Sequence, residues 1–481
     1  MRDPVPGRRS MSTQSFPRIP AWVAALWLSA SAAQAAEPAR WALTVSLEAD
    51  SPLLTLRGCS AQSNAEVWLR AGDGAAPHLH ALRRGRQIID TGGRSGALLR
   101  DWQAGECYTA VVDLASAARM DRFGLGGQAG EWWRIPPERW LWRPRRMHPD
   151  STIEFRLPPG WSASVPWPEL ADGSGRRRVG ATPDDWPAQT AFGRFREQPF
   201  ALPGGELRVA LLPRVSQAAQ QEIRDWFAGV APVLLAGSGR LPLPQTQVLI
   251  VPLPGVREPV PWGQVSRGGA AGVMLVVGAD AGRARLDADW TATHELAHLQ
   301  HPYLGERGRW LAEGLASYHQ NVWRARTGAL TPEQAWQRLD AGFARGRAVG
   351  PGPALGDLGR TRGATMRIYW SGAAFWLESD LALRAAGSSL DLALARFAAA
   401  HLPSERYWSP REFVAELDRL APGGGLVERL ERYLADTDFP DLGPIQSLLG
   451  RDTVSPVPGE TPSALSRSIM LPLASAQSPT R

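Results

Sequence analysis

The sequence of 481 residues predicts a multidomain α+β protein, with a β-rich N-terminal domain, a mixed α/β central domain and a helical C-terminal domain. The length exceeds what one hydrophobic core usually organises, so two or three domains are expected. Short alternating apolar runs, interrupted by glycine and proline, dominate residues 41–200 and predict strands. Alanine and leucine dominate residues 331–449, which predicts helices.

Residues 1–36 have the composition of an export signal. Four arginines within the first 18 residues precede the apolar run Ala21–Ala33, and Ala33-Gln34-Ala35 provides an A-x-A cleavage site. The run is too short and too rich in small residues for a comfortable membrane span, and no later stretch is apolar enough for one. We therefore expect a cleaved leader and a periplasmic or secreted protein, with a permanent N-terminal anchor as the alternative.

The N-terminal β-rich domain is predicted to span residues 37–205, with strands such as Trp41–Leu47 and Thr152–Leu157. It contains both cysteines of the chain, Cys59 and Cys107. In an oxidising compartment these two are expected to form a disulfide, and two buried free thiols are the alternative. No C-x-x-C spacing is present, so neither cysteine is a good candidate for a zinc ligand.

The central domain is predicted to span residues 206–330 and to open with the strands Leu207–Leu212 and Gln247–Pro252, with a helix between them. The glycine-rich apolar stretch Gly268–Val277 is expected either as an edge strand, along which a peptide can lie, or as a buried core strand. A helical domain follows at residues 331–449. Residues 450–481 are rich in proline and serine and are predicted to be disordered.

Charge excludes one class of partner. The formal net charge is +6, half of it in the leader, and the cations are all arginines. Nucleic-acid binding needs a concentrated basic face, which this distribution does not predict.

The pattern H-E-x-x-H occurs once, at His294, Glu295 and His298. Two imidazoles four positions apart share one face of a helix and can bind one Zn²⁺, while the intervening carboxylate can serve as general base. A catalytic zinc commonly takes a third protein ligand and leaves a position for water. The alternative interpretation is an amphipathic helix with surface histidines.

The third ligand is predicted to be Glu313. The extended pattern H-E-x-x-H-x-x-G-x-x-H would require a glycine at position 301 and a histidine ligand at position 304. The chain has His301 and Leu304 there, so this pattern does not supply the third ligand. Pro302 ends the first helix, and the stretch Arg309–Arg326 predicts a second helix that carries Glu313. The alternatives are Glu306, which is better explained as a solvated charge of the connector, and His301, which is better explained as a helix cap or substrate contact.

These motifs resemble the gluzincin metallopeptidases, the superfamily of the M1 aminopeptidases and the M61 glycyl aminopeptidases. HELAH followed by WLAEGLASY carries the resemblance, together with Ile368–Glu378 (IYWSGAAFWLE), and it covers residues 245–400. The resemblance implies a thermolysin-like catalytic domain at residues 206–330. It also implies that Tyr369 stabilises the oxyanion of the tetrahedral intermediate and that Gly372 is a close-packing glycine beside it.

The chain departs from the M1 pattern at two points. The gap between His298 and Glu313 is shorter than in that family. The aminopeptidases also carry a glutamate, in a G-x-M-E-N-type strand before the zinc helix, that holds the free amine of the substrate. Gly268–Val277 is the candidate for that strand and has no acidic residue, so the sequence predicts neither an exopeptidase nor an endopeptidase.

The sequence therefore predicts an exported zinc metallopeptidase, a hydrolase that binds one Zn²⁺ per chain and acts on a peptide or protein. Glu295 is the expected general base and Tyr369 the expected oxyanion stabiliser. The alternative is a non-catalytic envelope binding or scaffold protein that retains the fold. Hydrolysis of a non-peptide amide or ester would use the same site. The sequence predicts no oligomeric state.

Overall fold

The structure is a computed structural model that describes residues 37–118, 127–128, 131–180, 182–183, 186–359, 361–450 and 463–471. The predicted signal peptide at residues 1–36 lies outside the described residues. So do the segments 451–462 and 472–481 of the predicted tail.

Strands dominate the N-terminal part of the chain, as the alternating pattern predicts. They are β1 Ala42–Leu47, β2 Leu53–Cys59, β3 Asn64–Arg70, β4 Leu79–Arg84, β5 Gln87–Ile88, β6 Gly96–Trp102, β7 Cys107–Asp113, β8 Gly127–Gln128, β9 Trp132–Ile135, β10 Arg143–Pro144, β11 Thr152–Arg156, β12 Ser162–Ser164, β13 Arg177–Arg178 and β14 Thr190–Gly193, with one short helix, α1 Leu114–Ala118. They form a seven-stranded sheet (β13-β11-β1-β2-β7-β4-β5), a three-stranded sheet (β10-β3-β6) and a four-stranded sheet (β12-β14-β9-β8). Leucine, valine and tryptophan side chains on the inward faces form one core.

Cys59 and Cys107 are joined by a disulfide bond at the ends of β2 and β7. The two strands are antiparallel, and the two cysteines are direct partners in their register. Direct cross-strand neighbours have Cβ atoms close enough for such a bond.

A five-stranded sheet follows in the central part of the chain. Its strands are β15 Glu197–Leu202, β16 Gly205–Leu211, β17 Gln245–Leu253, β18 Trp262–Ser266 and β19 Gly272–Gly278. The order is β15-β16-β17-β19-β18. The strand β15 forms a hairpin with β16, so the predicted boundary at residues 205–206 cuts through a hairpin of this sheet.

The two edge strands of this sheet are β15 and β18, which corrects the edge-strand alternative for Gly268–Val277. The strand β19 pairs with β17 on one side and with β18 on the other, and all seven of its residues are buried. A strand that is paired on both sides has no free backbone groups to offer a peptide. The continuous apolar run is therefore a central strand, as the core-strand alternative predicted.

Helices make up most of the chain after Gly278. Two helices precede them, α2 Gln217–Val230 and α3 Leu235–Ser238. The later helices are α4 Arg283–Ala288, α5 Thr291–Ala297, α6 Arg309–Arg326, α7 Pro332–Arg347, α8 Thr365–Ala385, α9 Leu390–His401, α10 Pro410–Leu420, α11 Leu426–Ala435, α12 Gly443–Leu448 and α13 Ala464–Met470. One continuous core joins them to one face of the five-stranded sheet. A smaller cluster on the opposite face connects that sheet to Trp132 and Ala191 of the four-stranded sheet. None of the described helices is long and apolar enough to cross a membrane.

Helix α13 corrects the prediction that the tail is disordered throughout. Ile469 and Met470 are buried in the helical core, and Arg326 donates a hydrogen bond from Nε to the carbonyl of Ile469. The prediction rested on the proline- and serine-rich composition of the tail and did not detect the short apolar stretch that forms α13. The domain boundaries predicted from the sequence otherwise stay predictions.

Helices α6 and α8 cross at two glycines, Gly314 and Gly372. A Cβ on Gly372 would overlap the carbonyl oxygen of Trp310 and lie 2.8 Å from the Cα of Gly314. The backbones of the two helices are therefore in direct contact, which positions the rest of α8 against α6.

We expect Gly372→Ala to destabilise the protein by at least about 1–3 kcal/mol, the usual cost of overpacking, because the helices must separate to admit the methyl group. Urea unfolding of the mature protein measures this. Gly229→Ala in α2 is the matched control, since its Cβ would meet only the end of Arg283 at 3.6 Å. Equal unfolding midpoints for the two variants would contradict the close-packing role of Gly372.

Candidate metal centre

Helix α5 and the turn after it position two buried histidines. His294 lies in α5, and His298 begins the single 3₁₀ turn that extends the helix to Gln300. Their four-residue spacing places both rings on the same side, and the ring centroids are 4.9 Å apart. Ala292 and Leu296 pack into the core on the opposite side. Both histidines are buried as well, which contradicts the surface-histidine interpretation.

Glu313 reaches the two histidines from α6, whose bounds are those predicted from the sequence. One carboxylate oxygen, Oε2, lies 3.2 Å from His294 Nε2 and 3.6 Å from His298 Nε2. In a tetrahedral zinc site with bonds of about 2.0–2.1 Å, neighbouring ligand atoms are about 3.3 Å apart. The potential ligand atoms of the three residues all lie within 4.8 Å of one another.

The hydrogen bonds of the outer ring nitrogens leave both Nε2 atoms free to bind a metal. His294 Nδ1 lies 2.8 Å from Gln320 Oε1, an acceptor, so Nδ1 carries the hydrogen. His301 Nδ1 donates to the carbonyl of Pro302, and His301 Nε2 therefore accepts from His298 Nδ1 at 3.1 Å. Such partners orient metal-binding imidazoles and fix their tautomers.

Two imidazole lone pairs and a carboxylate thus converge on one point, a donor set that could hold a metal ion. A proton can bridge only one of the two nitrogens to Glu313. Burial disfavours the charged form of both rings. The pKa of His294 is nevertheless raised, because the carboxylates of Glu313 and Glu295 lie nearby. Burial and the charge of Arg267 lower the pKa of His298 to about 4. The His298 ring is therefore neutral near pH 7, the form in which an imidazole can bind a metal.

Glu295 lies beside the ligands without being one of them. Burial, followed by the charge of Glu313, raises its pKa to about 7, a value suited to accepting a proton near neutral pH. Its side chain packs against the backbone of the edge strand β18, where a Cβ on Gly263 would lie 2.7 Å from Glu295 Cδ. Glycine is therefore needed at position 263 for the strand to approach this carboxylate.

Tyr369 lies on α8 and stacks on His294, with ring centroids 5.9 Å apart and an interplanar angle of 7°. Its hydroxyl interacts with Glu313, and the guanidinium of Arg309 lies 5.9 Å from the ring centroid. Burial and the carboxylate of Glu313 raise the pKa of Tyr369, so the hydroxyl stays protonated and able to donate a hydrogen bond. The structure therefore brings together all five residues predicted from the sequence.

The site opens into a cleft of about 500 Å³ between β18 on one side and α5, α6 and α8 on the other. The strand contributes Trp262, Gly263, Gln264 and Val265 to the lining, and it lies at one edge of the sheet. The neighbouring Arg267 also lines the cleft, and its Nη1 lies 3.2 Å from His301 Nε2.

Several residues of the site were missed by the sequence prediction. Gln320 and His301 orient the metal-binding rings, and β18 borders the cleft in place of Gly268–Val277. Gln320 lies seven residues, two helical turns, after Glu313, a spacing that could have identified it. His301 is three residues beyond His298; the sequence offers it as a third ligand, a helix cap or a substrate contact, and not as a partner that orients His298. Nothing in the local sequence identified β18 as the edge strand.

Comparison with solved structures gives the fold. An aminopeptidase N family protein from Idiomarina loihiensis superposes with a TM-score of 0.62 at 13% sequence identity, covering 85% of this chain and 78% of that one. A mutant of a two-domain M1 zinc metallopeptidase bound to L-arginine gives a TM-score of 0.51 at 16% identity, covering 84% and 95%. The chain has the fold of the M1 zinc metallopeptidases.

This similarity confirms the coarser part of the sequence prediction. A mixed α/β architecture with a β-rich N-terminal region and a helical C-terminal region agrees with these metallopeptidases, which are hydrolases. The specific resemblance to M61 and the thermolysin-like detail of the central domain stay predictions. No family model matches the sequence, and no curated protein matches it.

Proposed function

We propose that this protein is an exported zinc-dependent peptidase. The observation that carries the proposal is the convergence of His294 Nε2, His298 Nε2 and Glu313 Oε2, with the hydrogen bonds of both rings directed away from that point. The fold shared with M1 zinc metallopeptidases supports it. Export rests on the leader sequence, residues 1–36.

In this proposal His294, His298 and Glu313 hold one Zn²⁺. When bound, the zinc supplies Lewis acidity, which lowers the pKa of a water molecule to about 7 and polarises the substrate carbonyl. The carboxylate of Glu313 offsets part of the metal charge. Gln320 and His301 keep both rings in the binding tautomer, so little reorganisation is needed when the metal enters.

Glu295 acts as the general base. It takes a proton from the attacking water and passes it to the leaving amine. Gly263 lets the edge strand β18 lie directly against this side chain. A peptide paired with that strand would thus bring its scissile carbonyl next to the carboxylate. The positive charge of Arg267 lowers the pKa of Glu295, opposing burial and Glu313, which helps to keep it ionised.

Tyr369 donates a hydrogen bond to the oxygen that becomes negative in the transition state. We expect Tyr369→Phe to lower kcat by about 10²–10³, the usual effect of removing one such donor, because the phenyl ring keeps the stacking on His294 and loses only the hydroxyl. Steady-state kinetics measure kcat and KM for the variant. A change in KM alone would exclude this role and indicate a contact with bound substrate.

The experiment that tests the proposed function combines zinc content with peptide hydrolysis by the purified mature protein. One zinc per chain and cleavage that a chelator abolishes and added zinc restores are expected. Peptides with free and with acetylated N-termini are compared, because β18 carries no carboxylate to hold a free amine. Zinc without hydrolysis of any peptide in a broad library would favour the scaffold alternative, and the absence of zinc would refute the site.

A further inference from the structure

A second cavity, of about 380 Å³, lies beside the metal cleft. Trp290 and Tyr369 line both spaces, so they form the shared wall. The cavity is bounded by α6, α7 and α8. Gln320, which forms a hydrogen bond with His294, also lines this cavity. A single side chain therefore connects the cavity to the metal centre. We refer to this space as the α7 pocket.

Two arginines and three neutral polar residues line the α7 pocket, beside aromatic and apolar side chains. Arg338 and Arg345 come from α7, and Ser317, Gln320 and Asn321 come from α6. In the part of the chain that the structure describes, no aspartate or glutamate lines it. The metal cleft differs, since four carboxylates line it: Glu258, Asp289, Glu295 and Glu313. The described lining of the α7 pocket thus carries positive and no negative side-chain charge, whereas the lining of the metal cleft carries both signs, with Arg267 and Arg309 beside its carboxylates.

The two arginines are seven residues apart, two helical turns, and so lie on one face of α7. The small side chain of Ala341 lies between them and also lines the pocket. The guanidinium of Arg345 lies 5.0 Å from the centroid of Trp370, a buried ring that orients it. Arg338 and Arg345 thus line the same open pocket.

Some exposed arginines of this chain pair with carboxylates. Arg411 with Glu431 and Arg419 with Glu416 are examples on α10 and α11. Arg338 and Arg345 form no salt bridge with any of the described residues. The charge of Arg338 also contributes, after burial, to lowering the pKa of Arg324 to about 10. The positive charge of this region is therefore not neutralised by neighbouring carboxylates.

We propose that the α7 pocket binds a carboxylate of the substrate through Arg338 and Arg345, and that it makes the peptidase selective for acidic peptides. This rests on the proposed function. Paired guanidinium groups match the planar, bidentate geometry of a carboxylate. The carboxylate belongs either to an aspartate or glutamate side chain near the scissile bond or to the C-terminus of a short peptide.

The test compares matched peptide substrates. Each pair differs only in glutamate or glutamine near the cleaved bond, or only in a free or amidated C-terminus. We expect the native protein to prefer the charged member of one pair by about tenfold or more in kcat/KM. The double variant Arg338→Gln/Arg345→Gln should bring that ratio close to one. The pair that responds identifies the source of the carboxylate.

Arg347→Gln is the matched control. Arg347 is an exposed arginine on the same helix, but it lies over Phe439 and does not line the pocket. The substitution Arg347→Gln removes one positive charge from α7 and should leave the preference for the charged peptide unchanged. A native protein without preference for the charged peptides, or an equal loss in the control, would overturn the proposal.

A binding measurement separates this proposal from the proposed function. If no peptide is hydrolysed, calorimetric titration of the same peptide pairs into the native protein and the double variant decides the question. Binding of the charged member that is about tenfold tighter, and lost in the double variant, would support the α7 pocket although the peptidase proposal had failed. Equal binding of both members would overturn it.

Discussion

Glu295→Gln should abolish most peptide hydrolysis and leave the metal in place. The amide has nearly the size of the carboxylate, so it fits against Gly263, but it cannot accept the proton of the attacking water. General acid–base catalysis typically contributes about 10²–10⁴ in rate, and kcat should fall by that factor. The ligand atoms on His294, His298 and Glu313 are untouched, so zinc content should stay at one per chain.

Zinc analysis and steady-state kinetics on the same preparation measure both parts of this expectation. Glu306→Gln is the control, because Glu306 is an exposed carboxylate in the connector between the two site helices and does not line the cleft. It should retain zinc and activity. If Glu295→Gln turns over peptides at the native rate, Glu295 is not the base. If it loses zinc, Glu295 is a ligand.

Glu313→Gln should cost the protein its zinc and, with the zinc, all hydrolysis. Glu313 Oε2 faces both Nε2 atoms and supplies the only negative charge among the three proposed ligands. Removing an outer partner of a metal ligand already weakens affinity by about 10–100-fold, so losing the charged ligand itself should cost at least about 100-fold. Zinc affinity is measured by competition with a chelator of known affinity.

The same control separates Glu313 from its competitor. Glu306 was the alternative third ligand from the sequence, and in the structure it lies outside the metal-binding group. Glu306→Gln should bind zinc as the native protein does. Wild-type zinc affinity in Glu313→Gln together with weakened affinity in Glu306→Gln would show that the connector carboxylate, and not Glu313, completes the site.

The site was predictable where its residues are related by helix geometry. His294 and His298 are one turn apart, and Arg309–Arg326 is helical over the range read from the sequence. The placement of Tyr369 and Gly372 came from the family resemblance, and both lie where α8 crosses α6. The regularity of the helix, together with a recognised motif, was enough to name these residues.

The edge strand was not predictable in the same way. Gly268–Val277 and Trp262–Ser266 are both short and partly apolar, and sequence order places the second directly before the first. In the sheet, β19 is inserted between β17 and β18, so the earlier strand takes the edge. Strand order depends on how the whole sheet packs under the helices, which no local pattern records.

The sequence by itself determined the chemistry of the metal-binding helices, because helical spacing places side chains on one face wherever the helix lies. Only the tertiary structure decided the contacts between elements: the hydrogen bond of Gln320 to His294, the approach of β18 to Glu295, and the arginine-lined pocket beside α7. Each of these joins segments that are not related by a single element's periodicity. The packing of separate elements, and not local periodicity, fixes such contacts.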